Sequence, residues 1–144
     1  MSPNEMERIL QSLIASETTT LDPPTPVDWE RLESKFGCKF DDDFKTFIGL
    51  MSQYSFPGDI LNVSSGRTNG NDSIALAYDL ECQGPDWNPA MIPFYAIGNG
   101  DYFCVNKAEC PASPVYYFYS ERPAFEQYSR SFDEWVAQLS EFLA

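Results

Sequence analysis

Residues 91–105 constrain the fold most. Met91 to Ile97 is rich in β-branched and aromatic residues, and Tyr102 to Val105 resumes the same pattern. Between them, Gly98-Asn99-Gly100-Asp101 supplies residue types that tolerate φ > 0. Two such runs joined by a Gly/Asn turn predict an antiparallel hairpin. Pro114 to Tyr119 is a third strand by the same criterion.

The segments around this hairpin carry helical periodicity. Ser2-Pro3-Asn4-Glu5 opens the first, with Met6, Ile9, Leu10, Leu13 and Ile14 on one stripe. Thr25-Pro26-Val27-Asp28 repeats the start signal; Trp29, Leu32 and Phe36 follow, and Gly37 stands at the C-cap position. Asp41, Asp42 and Asp43 precede Phe44, Phe47, Ile48 and Met51, where carboxylates complement the positive end of a helix dipole. Ile60 to Val63 predicts a short extended piece inside the turn-rich stretch 52–70. Asp72 to Cys82 is ambiguous; Ile74, Ala75, Tyr78 and Cys82 fit a helix capped by Asn71 or Asp72, which Gly84 to Pro89 would end. Ser131-Phe132-Asp133-Glu134 is a capping box that starts a closing helix with Trp135, Val136, Leu139, Phe142 and Leu143 on its stripe.

The expected class is therefore α+β: N-terminal helices, a small antiparallel sheet containing a central hairpin, and a C-terminal closing helix. The 144 residues suit one domain with a short appendage. Residues 1–24 read as an N-terminal helix and polar linker, and 25–144 as the α+β domain. The hydrophobic content of 43% and aromatic content of 15% support a real core.

Function is bounded by what is missing. Without histidine there is no Ser-His-Asp triad, no Cys-His dyad and no histidine metal ligand. The formal charge of −13, from 22 acids against 9 bases, repels nucleic acid and anionic membranes and favours cationic partners. The N-terminus lacks the features of a signal peptide and no apolar run is long enough to span a membrane, so the cytoplasm is the expected location. Cys38, Cys82, Cys104 and Cys110 lack C-x-x-C spacing and are expected to be mostly buried thiols rather than a zinc site. Gly98-Asn99-Gly100 lacks the lysine of a phosphate loop, Asp41-Asp42-Asp43 lacks calcium-loop spacing, and no carboxylate pair stands out for catalysis. No enzyme activity, metal or cofactor is expected.

Trp29-x-x-Leu32-Glu33-x-x-Phe36-Gly37-x-x-Phe40-x-x-Asp43-Phe44-x-x-Phe47 resembles the opening helix pair of the SUKH superfamily, named for yeast cell-wall-assembly regulators and related bacterial proteins. Ile92 to Val105 resembles its central hairpin, Pro114-Val115-Tyr116 its next strand, and Ser131-Phe132-x-x-Trp135-x-x-x-Leu139 its closing helix. The resemblance spans residues 26–143. It implies a binding module: bacterial members are mostly immunity proteins that neutralise toxins passed between competing cells, and eukaryotic members resemble regulators acting through protein contacts.

Between Thr46 and Asn106 the only basic residue is Arg67, against Asp59, Asp72, Asp79, Glu81, Asp86 and Asp101. Those acids, with Tyr54, Trp87 and Tyr102 as aromatic anchors beside turns, are the candidate partner-binding residues. Trp87 has a competing reading, in which it packs beneath its own Pro-bracketed loop. The expected function is an immunity protein that occludes the basic active-site or substrate-binding surface of a cognate toxin; the alternative is a regulatory interaction module with no toxin partner.

Overall fold

The computed structural model describes residues 1–13, 23–51, 59–61, 63 and 73–143. Three helices come first: α1 (Pro3–Leu13), α2 (Pro26–Phe36) and α3 (Asp42–Met51). A two-residue strand β1 (Asp59–Ile60) and helix α4 (Ile74–Glu81) lead into β2 (Met91–Ala96), β3 (Tyr102–Asn106), β4 (Val115–Tyr119) and β5 (Ala124–Ser129). Two short helices, α5 (Phe132–Ala137) and α6 (Leu139–Leu143), close the chain. The strands form one antiparallel sheet in sequence order, β1 to β5.

Local signals place the helix ends. The Thr25 hydroxyl accepts the Asp28 amide at 3.2 Å, and the Asp28 carboxylate accepts the Thr25 amide at 2.9 Å. At the other end of α2, Gly37 adopts φ 67°, and both Gly37 and Cys38 donate their amides to the Glu33 carbonyl. A left-handed residue with a doubled bond to one carbonyl stops a helix, and glycine adopts it without steric cost. Ser131 caps α5 by accepting the Glu134 amide at 3.2 Å.

The helical layer covers one face of the sheet. Trp135 sits at its centre, with ring centroids 5.1 Å from Phe94, 5.3 Å from Phe103 and 5.2 Å from Phe47. These contacts are edge-on or steeply inclined, the orientation that ring quadrupoles favour. Met6 and Leu10 of α1 are 0% exposed within the same cluster, so the first helix packs on the core. The opposite face carries a second cluster. There Trp87 is buried against Phe118 at 4.9 Å and Phe125 at 5.0 Å, and its Nε1 donates to the Met91 carbonyl at 3.1 Å.

Four local readings change. Ser73, rather than Asn71 or Asp72, caps α4, its hydroxyl accepting the Leu76 amide at 3.0 Å. The extended piece expected at 60–63 is observed as Asp59–Ile60, with the Leu61 amide still bonded to the Phe94 carbonyl at 2.9 Å. The closing helix is divided at Gln138, whose side chain accepts from Ser129 Oγ at 2.7 Å and donates to Glu134 at 3.3 Å. Strand β5 had no sequence signal: four of its six residues, Ala124, Glu126, Gln127 and Tyr128, are exposed, as an edge strand permits. Of the four thiols, only Cys104 is buried; Cys82 is exposed, and Cys38 and Cys110 are intermediate.

Candidate functional site

The tip of the β2–β3 hairpin gathers most of the candidate residues that can be placed. Ala96 pairs with Tyr102 on one side and with Asp59 on the other, so these three positions lie in register across three strands. The Tyr102 hydroxyl donates to Glu81 Oε1 at 3.0 Å, which draws the end of α4 to the same place. The Trp87 ring lies 5.6 Å from that of Tyr102. Tyr54 and Asp72 lie outside the described residues, as does the side chain of Asp59.

Asp101 is the best-connected carboxylate of the group. Its Oδ1 accepts the Ser120 amide at 2.8 Å and the Ser120 hydroxyl at 2.9 Å. Its Oδ2 accepts the Tyr117 hydroxyl at 2.7 Å and the Asn99 side-chain amide at 3.4 Å. Burial pushes its pKa up, but these bonds outweigh burial and hold it below the usual carboxylate range. Gly100 makes the arrangement possible: it adopts φ 95°, and a Cβ there would meet Ser120 Oγ at 3.0 Å. Asp101 therefore ties the β2–β3 turn to the end of β4.

The remaining candidates divide. Asp86 is exposed and makes no ion pair among the described residues. Asp79 is bound by Lys35 Nζ at 2.8 Å and turns toward α2. Trp87 is 7% exposed and packs against Phe118 and Phe125 of the sheet, so its ring is not an exposed anchor. Glu81 and Asp101 are bonded by hydroxyl and amide groups, which leaves their negative charge uncancelled. Burial, reinforced by Glu81, raises the Tyr102 pKa, and burial with Asp101 does the same for Tyr117, so both phenols stay protonated donors at neutral pH.

Three carboxylates outside the candidate set are held by the fold, one of them, Glu33, buried. Glu33, 6% exposed, accepts the Phe40 amide at 2.9 Å and ion-pairs with Lys45 at 3.3 Å and Lys39 at 3.8 Å. Burial disfavours its charge, yet the amide and the two ammonium groups hold its pKa below normal. Its place is the corner between α2 and α3, and the hint was a lone Glu beside Leu32 on an otherwise apolar stripe. Asp43 and Asp133, in the first turns of α3 and α5, both accept from the Met1 ammonium, at 3.4 and 3.2 Å, which brings the two carboxylates together. Glu33 lines two hollows beside α2, and neither Asp43 nor Asp133 lines them.

Burial, then the bond to Asp133 and its charge, push Asp43 up to about 6. The native pair therefore retains a proton that the unfolded chain loses near pH 4. Its contribution to stability is complete below the unfolded value and fades as pH rises through about 6. Asp43→Asn keeps a donor toward Asp133 without the titration. Chemical denaturation between pH 4.5 and 7.5 should show wild-type stability falling relative to Asp43→Asn as pH rises; parallel curves would remove the shared proton.

Among the described residues no group of three or more His, Cys, Asp or Glu is placed to hold a metal ion. No described helix is long and apolar enough to cross a membrane.

Three helices, a meander sheet with α4 inserted after its first strand, and two closing helices define an α+β domain. Residues 6–142 match the family model SUKH_5, described as SMI1-KNR4 cell-wall, and the chain belongs to this SUKH family. The match includes α1 from Met6 onward. A comparison with curated proteins finds no match.

Proposed function

We propose that this chain is an immunity protein acting in the cytoplasm, which binds a cognate toxin through the anionic surface at the β2–β3 hairpin and blocks it sterically, with no covalent step. One observation supports the reading: Glu81 and Asp101 are fixed by neutral donors, and neither they nor the exposed Asp86 makes an ion pair among the described residues. Lys35 binds Asp79, and Lys39 and Lys45 bind Glu33, so these three cations do not offset that negative charge. Toxins that act on nucleic acids or nucleotides need Lys and Arg for phosphate. An acidic surface would associate quickly with such a cleft and exclude its substrate. Tyr54, Asp59 and Asp72 belong to the same proposed surface by sequence.

The test is coexpression with toxin domains encoded in neighbouring reading frames. A neighbour should copurify with this protein and lose its toxicity. The double variant Glu81→Gln, Asp86→Asn should slow association several-fold at low salt and less at high salt, because exposed charges are screened. Failure of every neighbour to bind overturns the proposal. The family description, which names the cell wall, favours one other reading: a regulatory module with a protein partner and no toxin gene beside it.

A further inference from the structure

The sheet is wider than the helices that cover it. Trp135 and Phe142 lie over Phe103, at 5.3 and 5.0 Å between ring centroids. Tyr117 and Tyr128 flank the same ring at 5.0 and 4.9 Å, and Tyr119 follows 4.7 Å beyond Tyr117. Tyr119 is 41% exposed and Tyr128 40%, among the largest exposures of any big hydrophobic side chain in the described residues.

Carboxylates border these rings. Residues two apart on a strand share a face, so Tyr117 and Tyr119 do. Glu126 is the register partner of Tyr117 and shares that face as well. Asp101 holds the Tyr117 hydroxyl at 2.7 Å. The Phe142 ring of α6 lies 6.5 Å from that of Tyr128, and Glu141 precedes Phe142 in the same helix; burial, then the Glu141 charge, raises the Tyr128 pKa. None of Asp101, Glu126 and Glu141 makes an ion pair among the described residues.

We infer that this open face of β4 and β5 is an arginine-recognition surface, where a basic loop of a partner protein lays a guanidinium on the tyrosine rings and donates to Glu126 or Glu141. The two requirements of a guanidinium, a flat π surface and carboxylate acceptors at its edge, stand side by side here. An ammonium is a compact, strongly hydrated charge and gains less from the rings. A second copy of this chain does not suit the surface, because its own −13 charge would oppose the approach. This surface is distinct from the hairpin surface proposed above, and the inference rests on that reading only for the partner's identity.

The test uses two peptides of equal length and charge, one alternating Arg and Gly, the other Lys and Gly, added to the full chain at low salt. NMR ring signals of Tyr117, Tyr119 and Tyr128 should move with the arginine peptide, which should bind at least fivefold more tightly than the lysine peptide. Tyr119→Ala should weaken the arginine peptide about tenfold while Tyr119→Phe retains most of its binding. The double variant Glu126→Gln, Glu141→Gln, which leaves the rings in place, should weaken both peptides. Equal affinity for the two peptides, shifts confined to residues 81–102, or no binding of either would overturn the inference. Arginine-peptide binding without any toxin partner would count against the immunity reading alone, and toxin binding with no arginine preference against this surface alone.

Discussion

Replacing Asp101 with alanine is expected to cost about 2–4 kcal/mol of stability, since hydrogen bonds to a charged group contribute roughly 1.5–3 kcal/mol each and part of that is recovered by water. Four bonds end on this carboxylate, from Ser120 twice, Tyr117 and Asn99. For a domain of this size the thermal midpoint should fall by roughly 5–15 °C. Asp101→Asn separates charge from geometry: it keeps an acceptor for Ser120 and should cost about 1 kcal/mol. The two proteins should also differ in acid. Because the native carboxylate holds its proton more weakly than the unfolded one, its stabilisation is complete above about pH 4 and is lost as pH falls through the lower native value. Wild type should therefore destabilise on acidification more steeply than Asp101→Asn. A midpoint for Asp101→Ala within a degree of wild type would mean that the turn does not depend on this residue.

Deleting residues 1–22 is expected to be as damaging, at roughly 3–6 kcal/mol. Fully burying a Met or Leu side chain stabilises by about 1.5–3 kcal/mol, and α1 contributes two of them, Met6 and Leu10. The deletion also uncovers the side chains they pack on, so the truncated chain should bind a hydrophobic dye and self-associate. Thermal denaturation and mass in solution are the measurements. A truncated chain that stays monomeric with an unchanged midpoint would make α1 an accessory element, as the polar linker suggested.

That contrast shows where reading the residues stopped. The stripe of Met6, Ile9, Leu10 and Leu13 identified a helix, but a stripe says only that something is buried, not against what. The same limit applied to the charges. Six acids with one intervening Arg67 predicted an anionic region. Yet Asp79 is paired with Lys35 from a different helix, 44 positions away, and Asp101 is bound by groups 16 and 19 positions away. Trp87 was legible as a large side chain near a turn; its burial required Phe118 and Phe125, which arrive from two later strands. The arginine surface depends on β5, which no pattern announced, because the exposed face of an edge strand can be polar without penalty.

Sequence by itself determined the elements that are stabilised locally. Caps at Thr25 and Ser131, the left-handed stop at Gly37 and the β2–β3 turn each depend on residues within a few positions of one another, and each is observed. It also determined the net charge and the absence of histidine, and with them the kinds of chemistry excluded. Tertiary structure alone decided which carboxylates keep their charge exposed, which are bonded inside, and which aromatic rings remain uncovered. Those outcomes depend on distances between residues far apart in the chain, and only the packing of the helices against the sheet sets such distances.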